Sequence, residues 1–341
     1  MTTEPSNETF SRSVRDTLTS DEMAGAEETL ESLSDYFDAT VVGQPRLRRA
    51  LMATVLSRGH ILVESVPGLA KTLAASTLAR SVDASFARIQ CTPDLLPSDI
   101  VGTEVYDPAT TSFRTELGPV HAHFVLLDEI NRSSAKTQSA MLEAMQEHQT
   151  TIGGVSHPLP APFTVMATQN PIEEEGTYVL PQAQMDRFLI KEVVDYPKPA
   201  DEIEVLNRID RGVFERPGKP VATTADIVGL QQLCGRIHVK DSIKQYIVEL
   251  INVTRRPGDF LGSEHARWIE YGASPRGAIA FMQVARSNAL LAGRNHVVPD
   301  DVVSMRHSIL RHRLVLTFEA MAEQVRPDDL IDAVFDAVPT P

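Results

Sequence analysis

The sequence has little cysteine: only Cys91 and Cys234 occur, far apart, with no C-x-x-C or Cys/His cluster beside either. That excludes a disulfide framework and a zinc site, and fits a reducing compartment. Long apolar runs are missing too, since none approaches the roughly 18 residues of a membrane span. The opening stretch, MTTEPSNETFSRSVRD, has neither the basic start nor the apolar stretch of a secretory signal. The expectation is a cytoplasmic protein without membrane insertion. Positive charge is scarce: 32 Lys and Arg face 46 Asp and Glu, for a net charge of −14. A nucleic-acid partner usually needs a basic face, so this balance opposes one.

The acid is unevenly spread. Ten acids stand against Arg12 and Arg15 in the first 38 residues, which hold −8 of the net charge. Residues 1–33 are rich in Ser, Thr and Glu, and the composition predicts an acidic tail, disordered or loosely helical. The full length of 341 residues is enough for two domains, and 42% hydrophobic with 23% charged residues is ordinary globular composition.

From 34 to 196, short apolar runs alternate with helical patterns. The candidate strands are ILVE (61–64), SFARIQC (85–91), HFVLLDE (123–129), FTVMAT (163–168) and FLIKEVV (188–194). Such alternation predicts an α/β fold, a five-stranded parallel sheet sandwiched by helices. Runs such as FVLL, apolar at every position, fit burial on both faces of the sheet. From 197 to 341 strand signals fade and amphipathic helical segments take over, so an all-helical second domain is expected. No internal repeat is evident.

The stretch ESVPGLAKT (64–72) nearly matches the phosphate-binding pattern G-x-x-x-x-G-K-[ST], with Ser65 and Ala70 in place of its glycines. It follows an apolar strand and precedes a helix starting at Lys71-Thr72, where free backbone N–H groups and a partial positive charge favour phosphate. Lys71 adds a full charge, and Thr72 would place its hydroxyl on a magnesium ion. Pro67-Gly68 supplies a turn. Ala70 is expected to need only helical dihedrals and room for a methyl, which leaves Ser65 as the less comfortable replacement.

Four further stretches carry chemistry. FVLLDE ends in two carboxylates at the C-terminal end of a strand, where open α/β sheets bind ligands; Asp128 can hold Mg²⁺ and Glu129 can orient and deprotonate an attacking water. FTVMATQNP ends in Gln169-Asn170, whose amides suit the positioning of water or a terminal phosphate, although an Asn before Pro171 also suits a loop cap. Arg187, in MDRF, could be a cation for a phosphoryl-transfer transition state or a surface partner of Asp186. In ASPRG, Ser274 and Pro275 mark a helix start, which fixes Arg276 at its mouth. From there Arg276 could reach a phosphate held between the domains, or remain a solvated helix-end side chain.

Taken together, VVGQ (41–44), VPGLAKT, QCTPDLLPSDIVGTEVYD, GPVHAHFVLLDEINRSSAKTQSAMLEAMQEHQ, MATQNPIEEEGTYVLPQAQMDRF and ASPRG resemble a MoxR-type AAA+ ATPase over about residues 34–325. The resemblance implies ATP and Mg²⁺ as cofactors. It assigns Ser65, Val66, Pro67, Gly68, Leu69, Ala70, Lys71, Thr72 and Leu73 to the phosphate loop, and Val42, Gly43 and Gln44 to the surroundings of adenine. Thr72 and Asp128 become metal ligands and Glu129 the base, with Asn170 as sensor 1, Arg276 as sensor 2 and Arg187 as arginine finger. Arg132 is a further inter-subunit candidate. The implied assembly is a ring, usually a hexamer, that remodels or matures partner complexes, including metal-cofactor insertion, commonly with a von Willebrand factor A-domain partner. The family pattern normally has Gly where Ser65 stands, which implies a weakened but active site.

Two insertions fit the same resemblance: residues 92–120, and HQTTIGGVSHPLP (148–160), which reads as a hairpin around Gly153-Gly154. In related motors such projections face the pore. This hairpin carries no Lys or Arg, so it is a poor tracker of phosphates. His121 and His123 are expected to alternate on a strand and share a face, in a structural role, since no third metal ligand is near. Alternatives to a protein-remodelling ATPase are a magnesium-chelatase-like ATPase subunit, a nucleic-acid motor opposed by the charge, and a nucleotide-gated scaffold without turnover.

Overall fold

A computed structural model describes residues 18–66, 68–171, 178, 180–212 and 218–341. Helix α1 (Ser20–Thr40) comes first. Thr19 caps it: its hydroxyl accepts the Glu22 N–H at 3.2 Å, while the Glu22 carboxylate accepts the Thr19 N–H at 2.8 Å. Ala26, Leu30, Leu33 and Phe37 recur at helical spacing and are buried. The expectation of a loose tail through residue 33 is therefore corrected for residues 20–33. Averaged composition hid an apolar stripe that α1 lays into the main core; residues 1–17 lie outside the described residues.

Helix α2 (Pro45–Leu56) leads into β1 (Ile61–Ser65), followed by α3 (Lys71–Ser81) and β2 (Phe86–Gln90). Then come α4 (Pro97–Val101), the hairpin β3 (Gly102–Asp107) and β4 (Ser112–Leu117), and β5 (Phe124–Asp128). Helix α5 (Ala135–Glu147) precedes a second hairpin, β6 (Gln149–Ile152) and β7 (Val155–Pro158), turning at Gly153-Gly154 as expected. Strand β8 (Thr164–Gln169), the short α6 (Gln182–Met185) and β9 (Ile190–Val194) complete this part.

The main sheet has the order β2-β5-β8-β1-β9, with every pairing parallel. Leu62, Leu126, Leu127, Val165 and Ala167 are fully buried, as expected for strands covered on both faces. Register fixes the two edges of the sheet. Ser65 pairs with Val194, Glu64 with Gln169 and Gln90 with Asp128 at the C-terminal edge, while Ile61 pairs with Ile190 at the other. Four strand steps from Ile61 to Ser65 separate the edges by roughly 13 Å.

After β9 the chain is helical: α7 (Pro199–Asp210), α8 (Thr224–Arg236), α9 (Asp241–Arg255) and the single turns α10 (Pro257–Phe260) and α11 (Ser263–Ala266). Strand β10 (Ile269–Tyr271) leads into α12 (Pro275–Leu291), then α13 (Pro299–Val303), α14 (Arg306–Leu310), strand β11 (Val315–Leu316), α15 (Phe318–Ala322) and α16 (Pro327–Asp336). The additions to an all-helical domain, among the described residues, are the small antiparallel ribbon of β10 and β11 and an isolated bridge between His238 and His296. Helix α12 packs on α2, and α14 on β9, which seats the helical part against the edge strand of the sheet. No helix among the described residues is long and apolar enough to cross a membrane.

Candidate functional site

The phosphate-loop candidate runs from the end of β1 into α3. Lys71 is buried, and its Nζ donates to the carbonyl oxygens of Ser65 at 3.1 Å and Val66 at 3.5 Å. Thr72 and Leu73 follow, half-buried, in the first turn of α3, and Leu69 is buried. Pro67 lies outside the described residues. The loop reverses the expected order of strain. Ser65 is the last residue of a regular strand, buried, with its hydroxyl on the Val66 carbonyl at 3.2 Å. Ala70 instead adopts φ 53° and ψ 21°, a left-handed conformation, rather than helical dihedrals. A Cβ there costs about 1–2 kcal/mol because it crowds the following carbonyl oxygen. Gly68, at φ 86°, takes the other left-handed position without that cost.

The carboxylates sit two strands away at the same edge. Asp128 is buried at the end of β5, and Thr168, fully buried on β8, donates to its Oδ1 at 2.8 Å while accepting the Glu129 N–H at 2.8 Å. Arg88 on β2 donates to Asp128 Oδ2 from Nε at 3.2 Å and from a terminal nitrogen at 2.6 Å. A terminal nitrogen of Arg88 also donates to Gln90 Oε1 at 3.0 Å. Gln90 Nε2 donates to Glu129 Oε2 at 3.3 Å, and Arg132 donates to the same oxygen at 3.1 Å. Glu129 itself is left-handed, φ 58° and ψ 54°, a conformation that turns the chain sharply out of β5. Asn170 is buried one residue beyond β8, the strand that lies between β5 and β1, and so between the carboxylates and the phosphate loop.

Val42, Gly43 and Gln44 form the link between α1 and α2, with Gln44 at the N-cap of α2. Gly43 is required twice over: its φ is 70°, and a Cβ would stand 2.7 Å from the Asp201 side chain on α7. The link is thereby held against the first helix after the sheet.

Arg187 and Arg276 lie elsewhere. Leu189 donates its N–H to the His60 carbonyl at 2.8 Å, at the N-terminal edge of β1, so Arg187 belongs to the edge opposite Lys71. Arg187 and Arg276 line one cavity of about 220 Å³ there, together with Arg58, Arg313 and Asp186. Asp186 does not pair with Arg187: its carboxylate takes Arg313 Nε at 2.9 Å and the Ser274 hydroxyl at 2.7 Å. Among the described residues, neither the Arg187 nor the Arg276 guanidinium has a carboxylate partner. Arg276, at the mouth of α12, thus stands at the end of the sheet opposite the phosphate loop of its own chain. Burial, with a smaller push from the neighbouring Arg276 charge and against the opposing pull of Asp186, lowers the Arg313 pKa to about 10.

The shared strand face expected for His121 and His123 is also corrected. His121 ends a 3-10 turn and bonds Thr150 Oγ1 at 2.9 Å, whereas His123 precedes β5 and bonds Ser85 Oγ at 2.7 Å. They do not converge, and no group of three or more His, Cys, Asp or Glu among the described residues is arranged to hold a metal. A larger cleft of about 580 Å³, walled by α4, α5 and the two hairpins, includes neither Asp128 nor Glu129.

Residues 60–190 match the model of an ATPase family associated with various cellular activities (AAA), and residues 263–334 match an AAA lid domain. The chain is 46% identical to Chaperone MoxR1 of Mycobacterium tuberculosis, covering 94% of this chain and 84% of that protein. It is 30% identical to MoxR of Methylorubrum extorquens, over 88% of this chain and 92% of that one. A crystal structure from Cytophaga hutchinsonii, assigned as an ATPase, superimposes with a TM-score of 0.89 at 40% identity, covering 94% and 97% of the two chains. The chain belongs to the MoxR family of AAA+ ATPases.

For a MoxR-family ATPase, the donors at the carboxylate edge fit a hard divalent cation. Thr72 and Asp128 offer oxygen only, and the Arg88 guanidinium already stands on Asp128 as a positive charge. Sequence reasoning missed Arg88, Gln90 and Thr168. In FARIQ the polar side chains fall at alternate positions, so Arg88 and Gln90 share a face of the strand, and that alternation was the available signal.

Proposed function

We propose that this MoxR-family ATPase hydrolyses magnesium-bound ATP in a head-to-tail ring, most simply a hexamer, and uses the cycle to remodel or mature a partner protein complex in a chaperone-like way. The observation that carries the reading is the separation of Arg187 and Arg276 from Lys71, Asp128 and Glu129, at opposite edges of one sheet. A head-to-tail contact brings one protomer's arginine edge to the next protomer's phosphate edge, and such heterologous contacts close into rings. In that arrangement Lys71 and the α3 N-terminus bind phosphate, Glu129 takes the proton of the attacking water, and Asn170 orients the terminal phosphate. Arg187 and Arg276 of the neighbour offset charge on the transferring group. A magnesium ion held by Thr72 and Asp128 would supply further charge neutralisation at the phosphates.

The partner reading rests on kinship: the relative from Mycobacterium tuberculosis is named a chaperone, and the family resemblance adds a von Willebrand factor A-domain partner. The net charge of −14 and a β6–β7 hairpin without Lys or Arg favour a protein client over nucleic acid.

Subunit mixing tests the ring. Glu129→Gln and Arg187→Ala should each lose ATPase activity by about 10³-fold or more on their own. Mixed in equal amounts, they should recover toward about a quarter of the wild-type rate, because some interfaces then join an intact base to an intact arginine. No recovery from well-formed mixed rings would overturn the trans arrangement.

A further inference from the structure

We infer that Arg88 is a resident counter-cation of the metal site: it holds Asp128 while the divalent ion is away and is displaced when the ion binds. This rests on the reading of Asp128 as the metal carboxylate. Two N–H groups of Arg88 converge on Oδ2, at 2.6 and 3.2 Å, and Thr168 holds Oδ1. Both carboxylate oxygens are therefore engaged, and Oδ2 is covered by a full positive charge. A divalent ion that bound Oδ2 with Arg88 in place would meet like-charge repulsion at contact range.

The two partners differ in how freely they can move. The Asp128 side chain is 12% exposed at the end of a central strand, whereas Arg88 is 49% exposed on the edge strand β2. Apart from Gln90, on its own strand, the hydrogen bonds of the guanidinium among the described residues all go to Asp128. Arg88 can swing into water, and Asp128 cannot. The pair is thus built so that the cation leaves and the carboxylate stays.

A purely structural ion pair predicts the opposite sign. If Arg88 only oriented Asp128, removing it would loosen the carboxylate and weaken metal binding; if it competes, removing it strengthens binding. A half-exposed ion pair is worth a factor of up to about fivefold in affinity. The connection continues through Gln90 to Glu129 Oε2, so the departure of Arg88 also removes a hydrogen bond that orients the Gln90 amide toward the base.

The test is titration of Mn²⁺ by electron paramagnetic resonance, on the full chain with a non-hydrolysable ATP analogue, for wild type, Arg88→Met, Arg88→Lys and Asp128→Asn. Arg88→Met should bind Mn²⁺ about fivefold more tightly, and Arg88→Lys, which keeps the charge, should stay near wild type. Unchanged or weaker binding by a folded Arg88→Met variant overturns the competition. Should that variant fold poorly, Arg88→Gln carries the same expectation and the same refutation. Asp128→Asn should lose Mn²⁺ binding; if it does not, the metal assignment itself is wrong, a failure distinct from that of Arg88.

Discussion

The Asp186 carboxylate accepts the Nε–H of Arg313 at 2.9 Å, one of several contacts that join the sheet to the helical domain. Arg313 is almost fully buried and also donates to the carbonyl oxygens of Phe188 at 2.7 Å, Leu189 at 3.2 Å and Ile309 at 2.5 Å. The second Asp186 oxygen takes the Ser274 hydroxyl, at the start of the helix that carries Arg276. One carboxylate therefore sets the spacing between the Arg187 turn and the mouth of α12.

Removing that carboxylate strands a buried cation. Asp186→Asn is expected to destabilise the protein by roughly 3 kcal/mol, read from the urea midpoint, because Arg313 keeps its charge without a countercharge. Asp186→Asn combined with Arg313→Met should cost clearly less than the two single changes added together. Additive losses would mean that the two residues do not interact in solution.

The phosphate loop gives a comparison of two glycine substitutions. Ala70→Gly relieves a left-handed alanine, and the gain of about 1 kcal/mol is partly offset by the extra freedom of the unfolded chain, so stability should hold or rise slightly. Ser65→Gly puts glycine into a regular strand and should cost about 1 kcal/mol. ATP-analogue affinity should stay within about twofold of wild type for Ser65→Gly, since the strand backbone there already suits any residue. A large rise in affinity would restore the first pattern glycine to importance.

His60 predicts a pH dependence. Its Nδ1 accepts the Val165 N–H at 3.0 Å and its Nε2 lies 3.1 Å from the Met145 carbonyl, the pattern of a neutral ring, and burial lowers its pKa from 6.5 to about 4. The unfolded chain takes up this proton more readily than the folded one between those values. Stability is therefore full above about pH 6.5 and falls as pH drops toward 4, by up to about 3 kcal/mol from this group. Buried His312, also lowered, acts in the same direction. Urea midpoints from pH 4 to 7 should slope less steeply in His60→Gln than in wild type.

Much of the nucleotide edge was legible because its signals are local. A strand, a turn and a helix start at Lys71 announce a phosphate loop whatever the rest of the chain does, and acids closing an apolar strand announce Asp128 and Glu129. The Thr19 and Glu22 capping box also stood in the sequence, yet tail composition outweighed it and α1 was missed. Ala70 was misjudged because residue type limits a dihedral without fixing it. Arg88 depends on the register of β2 against β5, and the position of Arg276 depends on where the helical domain docks; both are long-range facts that spacing along the chain does not encode.

Helix α1, the segment first taken for a tail, lies against both α3, which begins with Lys71, and α12, whose second residue is Arg276. Its buried stripe belongs to the same core as both helices. A cut within residues 20–33 should therefore loosen both helices at once, by taking Ala26, Leu30 and Leu33 out of the core they share.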